Sequence, residues 1–108
     1  MGAMMHEDRF GVVSFSWTPA GTAAGPLTAA QTTQMLGAKT SDLVLRVDPP
    51  STTAGLAVVG ARISAADTLE VVFGNFSTGA LTSASGTYLA HVFRPENVRT
   101  SLAAAIDG

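Results

Sequence analysis

The chain has 108 residues, enough for one domain with a modest core. Its formal net charge is −2 and its six Lys and Arg residues are scattered, so no phosphate-neutralising patch and no basic amphipathic helix can be drawn, and neither nucleic acid nor a membrane surface is expected as a partner. The absence of cysteine excludes disulfides, thiolate metal sites and cysteine nucleophiles, and no apolar run reaches the roughly 18 residues of a membrane-spanning helix.

Residues 10–17, FGVVSFSW, alternate Val13, Phe15 and Trp17 with Ser14 and Ser16, which predicts a strand closed by Pro19. TPAGTAAGPL then reads as a loop. TAAQTTQML is ambiguous. Thr28 suits a helix cap, but the β-branched pair Thr32 and Thr33 favours a strand over residues 31–36. Leu43–Asp48 reads as a strand stopped by Pro49 and Pro50, and residues 56–64 as another, with a bulge at Gly60. SAAD forms a tight link to residues 68–76, where Leu69, Val71 and Phe73 alternate with Glu70 and Val72. After a polar connection, Gly86–Arg94 sets Tyr88, Ala90 and Val92 against Leu89, His91 and Phe93. Both faces of that strand are partly apolar, which suits a central strand or one covered by a neighbour.

About six short strands predict an all-β fold, an antiparallel β-sandwich with a small barrel as the alternative. Residues 10–95 make the domain. Residues 1–9 and 96–108 read as extended N- and C-terminal arms, the second with a helix-forming stretch at 102–106 too short to stand alone. Ala, Gly, Ser and Thr fill 51 positions, so bulky core candidates are few. They are Phe10, Phe15, Trp17, Leu36, Leu43, Leu45, Leu56, Leu69, Phe73, Phe76, Tyr88, Leu89 and Phe93. Such a thin core predicts marginal stability alone and assembly with neighbours.

No arrangement of residues spells out catalysis. His91 has no base partner at a telling spacing, although Ser14, Ser16, Asp67 and Glu70 are available, and it reads as a structural or interface histidine. His6, Glu7 and Asp8 read as a solvated charge run rather than a metal site. Asp48 and Asp67 form a conceivable glycosidase pair, but Asp42 and Asp67 each precede a strand, where a carboxylate accepts a backbone N–H. GTAAGP and GALTSASG lack the lysine of a phosphate loop. Trp17 reads as a core or interface anchor before a sugar-stacking platform, and Asn75 in NFS matches a glycosylation sequon. No catalytic, cofactor-binding or metal-ligating residue is assigned, no cofactor is expected, and the chain is not expected to be an enzyme.

GLAVVGARISAADTLEVVFGNFSTGALTSASGTYLAHVFRP resembles a pattern of small all-β structural proteins, of decoration or fibre type, in tailed-bacteriophage virions. The residues that carry it are Gly55, Leu56, Ala61, Arg62, Ser64, Ala65, Ala66, Asp67, Thr68, Leu69, Asn75, Gly79, Ala80, Gly86, Tyr88, Arg94 and Pro95. Upstream, TSDLVLRVDPP is similar to the same pattern, with Ser41 where it has Gly, and QTTQMLGAK falls on one of its strands. Thr82, Ser83 and Ala84 stand where the pattern often has proline. The resemblance covers residues 31–95. It implies a capsid decoration (cement) protein that stabilises a phage head, assembled in the host cytoplasm and carried in the virion. The partners expected are the major capsid protein or other virion subunits and copies of the chain itself, as a homo-oligomer such as a trimer. A head- or tail-fibre base, a neck subunit, or a carbohydrate-binding module using Trp17 or Tyr88 are the alternatives. Low charge, a thin core, apolar positions such as Val12, Val13, Leu89 and Phe93, and arms able to reach over adjacent subunits agree with the implied role.

Overall fold

The computed structural model describes residues 9–24 and 28–95 of the chain. Six strands run in order: β1 (Arg9–Trp17), β2 (Thr28–Gln34), β3 (Leu43–Asp48), β4 (Leu56–Ala65), β5 (Thr68–Asn75) and β6 (Gly86–Arg94). They form two three-stranded antiparallel sheets, β1-β6-β3 and β2-β5-β4. This is the expected β-sandwich, with two separate sheets rather than a closed barrel. Only β4 and β5 are joined as a hairpin; every other connection passes from one sheet to the other.

The strand bounds follow the alternation and the prolines closely for β3 and β6. β1 starts one residue early: Arg9, assigned above to the N-terminal arm, pairs with Arg94. The other arm residues, 1–8 and 96–108, lie outside the described residues. β2 differs most. It runs Thr28–Gln34 instead of 31–36, because Leu36 and Gly37 form the turn that leads to β3. Gly37 has φ +87°, a left-handed conformation that cannot continue a strand. Asp67, in the two-residue turn between β4 and β5, also has a positive φ (60°). Its place is tied down by three bonds to the β2–β3 turn. Its Oδ1 accepts from the Gly37 N–H at 2.7 Å, its carbonyl accepts from Met35 N–H, and its own N–H donates to the Ala38 carbonyl.

Each sheet turns one face inward. From the β2-β5-β4 sheet come Leu69, Val71, Phe73 and Ile63; from the other come Tyr88, Ala90 and Val47. Met35 and Ala38 close one end. Trp17 bridges the sheets, its ring 5.3 Å from Tyr88 and 5.8 Å from Phe73. Fully burying each such large side chain is worth about 1.5–3 kcal/mol.

Several core expectations are overturned. Phe10, Leu36, Leu43, Leu45, Phe76 and Leu89 are all exposed, Leu36 by 77% and Phe10 by 59%. Leu36 sits on a turn, Phe76 lies just past β5, and the other four occupy strand positions on the side turned away from the second sheet. Smaller side chains, Val47, Val71 and Ala90, occupy the interior instead.

The register shifts three times, once on β3 and twice on β4, the third shift lying between Ile63 and Ala65. Leu45 is the extra residue between Val44 and Arg46 on β3, and Val59 between Val58 and Gly60 on β4, next to the expected bulge position. Bulges at edges discourage pairing with foreign strands.

Candidate docking face

The outer surfaces of the two sheets differ in chemistry. In the β2-β5-β4 sheet, Thr32, Glu70 and Arg62 stand side by side across the strands, with Gln34 and Thr68 in register beside them. Arg62 donates to the Glu70 carboxylate, so this end of the face is polar, while exposed Val59 and Phe76 lie together over Gly74 farther along it.

The β1-β6-β3 sheet exposes a larger set of apolar side chains. Its buried residues on β6 are Tyr88 and Ala90, which forces Leu89, His91 and Phe93 to the outer side by strand alternation. The register sets three cross-strand rows there: Phe10, Phe93 and Leu43; Val12, His91 and Arg46; Ser14, Leu89 and Asp48. The bulge adds Leu45, 58% exposed. Large apolar side chains therefore border a compact polar centre.

That centre is an ionic pair of contacts on one carboxylate. Asp48 Oδ1 accepts from Arg46 Nε at 2.8 Å, and Asp48 Oδ2 lies 2.9 Å from His91 Nε2. The Arg46 hydrogen bond, followed by that of His91, holds the Asp48 carboxyl below its ordinary value. The Phe10 ring lies 6.4 Å from the His91 ring, centroid to centroid. Among the described residues, His91 makes no hydrogen bond to Ser14 or Ser16, and Asp67 and Glu70 have other partners. The partner of His91 is instead Asp48, 43 positions away in sequence and beside it only because β3 and β6 pair.

The remaining sequence candidates fall into structural roles. Tyr88 has no exposed surface, and its hydroxyl donates to the Ala84 carbonyl and bonds Ser83 Oγ, both at 2.6 Å. Trp17 is wedged between Tyr88 and Phe73, so neither ring offers a free sugar platform. Asn75 is also fully buried and cannot serve as a glycan acceptor in the folded protein. Its Nδ2 donates to the carbonyls of Thr22 (2.9 Å) and Gly79 (3.0 Å), and its Oδ1 accepts from the Ser77 N–H (3.0 Å) and hydroxyl (2.7 Å). Asp42 and Asp67 both accept backbone N–H bonds, as turn chemistry requires. Asp48 and Asp67 serve different strands in different sheets and make no pair. The stretch His6, Glu7 and Asp8 lies outside the described residues.

No family model, curated protein or solved structure matches this chain.

Proposed function

We propose that this protein is a structural subunit of a tailed-bacteriophage virion, a decoration protein that attaches to the capsid and stabilises the head. The observation that carries the reading is the outer face of the β1-β6-β3 sheet, which displays Phe10, Val12, Leu43, Leu45 and Leu89, all exposed. A monomer has no use for such a face, and contiguous apolar surface of this kind marks a contact with another macromolecule. The similarity of residues 31–95 to phage structural proteins supplies the kind of particle. Attachment stabilises the shell by mass action, since whatever binds the assembled state alone shifts the equilibrium towards it. A standard footprint of about 800 Å² per partner is enough for specific attachment.

Electron microscopy of the particle that carries this chain tests the reading. Density on local symmetry axes of the shell is the expected result. Density at the neck or fibre base would transfer the same docking face to the alternative location, and absence from particles would end the virion reading. Deleting residues 1–8, which leaves Arg9 to pair with Arg94, tests whether the N-terminal arm contributes: weaker attachment with an unchanged fold is expected.

A further inference from the structure

A cleft of about 380 Å³ opens at the end of the sandwich where β1 and β6 meet the β2–β3 turn. It exists because a side chain is missing. On the inward side of β1, Gly11 faces Val92, and a Cβ built at Gly11 would meet nothing within 4 Å. Val13, Met35 and Val92 form apolar walls, and Leu36, the most exposed large hydrophobic among the described residues, forms the lip. Arg94 at the rim is committed to Asp42 and to the Gly37 carbonyl, so the charge the cleft presents is that of Arg9.

We propose that this cleft is the binding site for the chain's own C-terminal segment, with Leu102 and Ile106 seated against Val13, Met35 and Val92. Three observations select this occupant. The chain leaves β6 at Arg94, which itself lines the cleft, so the segment starts at its edge. Residues 95–101 span at most roughly 25 Å when extended, a short tether that gives the segment a high effective concentration over any second copy. LAAAI is an apolar run whose two large residues are four apart, on one side of a helical turn, and Asp107 follows it to complement Arg9. The inference does not depend on the virion reading: it concerns the free subunit, and the docking face lies on the outer side of the same sheet.

The test uses the full chain with labelled methyl groups. Nuclear Overhauser contacts from Leu102 and Ile106 to Val13 and Val92 are the expected result. Gly11→Leu should abolish them by filling the cleft, with the amide signals of Leu69, Phe73 and Tyr88 unmoved. Should Gly11→Leu disturb folding, Ile106→Ser provides the second arm: amide exchange at residues 103–106 should speed up by about tenfold or more as the docked state is lost. Absence of the contacts in the unaltered chain would overturn the proposal. So would contacts from Met4 or Met5 in their place, or contacts found only between differently labelled copies.

Discussion

His91 Nε2 stands 2.9 Å from Asp48 Oδ2 on a sheet face bordered by Phe, Leu and Val. Arg46 holds the other carboxylate oxygen, so one anion serves two cationic or potentially cationic neighbours. Both contacts favour the ionised carboxylate, Arg46 more than His91. Replacing Arg46 with Gln should therefore raise the Asp48 titration towards its ordinary 3.8, and His91→Gln should raise it less. Side-chain carboxyl shifts followed by NMR read both changes, and the reverse order would show that the histidine dominates.

The apolar border of that face predicts a separation between folding and assembly. Leu43 and Leu45 are more than half exposed, so Leu43→Glu and Leu45→Lys should change stability by no more than about 0.5 kcal/mol. Attachment to neighbouring subunits should nevertheless collapse, because each places a charge where an apolar contact is desolvated. Thr32→Lys, beside Glu70 on the outer face of the other sheet, is the control and should leave attachment intact. Urea midpoints measure the first quantity and co-sedimentation with assembled particles the second. Equal attachment of all three variants would remove this face from the interface.

The strands were readable from alternation and from the proline and glycine stops, because those signals act locally. What local pattern cannot tell is which face of a strand a second sheet will cover. Leu43 and Leu45 alternate with Val44 as cleanly as any buried set, yet the bulge at Leu45 and pairing with β6 put Val44 and Val47 on the interior side. β2 was displaced for a related reason: Leu36 is apolar but sits on a turn anchored by Asp67, thirty positions distant from Gly37. The His91–Asp48 contact depends on β3 lying beside β6, a long-range fact with no trace in spacing. Asn75 carried a usable signal that was read otherwise. An Asn closing a strand, followed two residues on by Ser77 and then by Gly79, is the pattern of a side chain capping its own turn.

Asn75 also supports a stability prediction. All four of its hydrogen bonds are internal, and they join the end of β5 to Thr22, whose backbone bridges Leu81 in the next connection. Asn75→Ala removes all four bonds and strips the Ser77 N–H of its acceptor, although the Thr22 carbonyl keeps the Leu81 N–H and the Gly79 carbonyl keeps the Ser77 hydroxyl, and should cost about 2–3 kcal/mol. For a domain of this size that corresponds to a fall in Tm of about 10–20 °C. Asn75→Asp should be no better at neutral pH, since it sets a carboxylate against two carbonyl oxygens. A thermal melt of either variant within a few degrees of the parent would show that the loop repairs itself.

The acid limb of stability should be governed by Asp42, whose side chain is buried while its two oxygens accept from Arg94 Nε and Nη2, both at 2.6 Å. The Arg94 hydrogen bonds lower its carboxyl below the ordinary 3.8 despite the opposing effect of burial, and the Lys39 N–H adds to the lowering. A carboxylate depressed in the folded state contributes stability that is complete above its unfolded value and disappears as pH falls through the folded one. The loss due to Asp42 should accordingly set in below about pH 3.8, with Asp48 adding to it in the same direction. Asp42→Asn should weaken the protein at pH 7 and flatten its acid limb. Arg94→Lys keeps the charge but not the two-point grip, so it should behave like a partial loss of the pair. Urea midpoints measured between pH 7 and pH 2.5 decide the matter: an acid limb of unchanged steepness in Asp42→Asn would mean that other carboxylates control it.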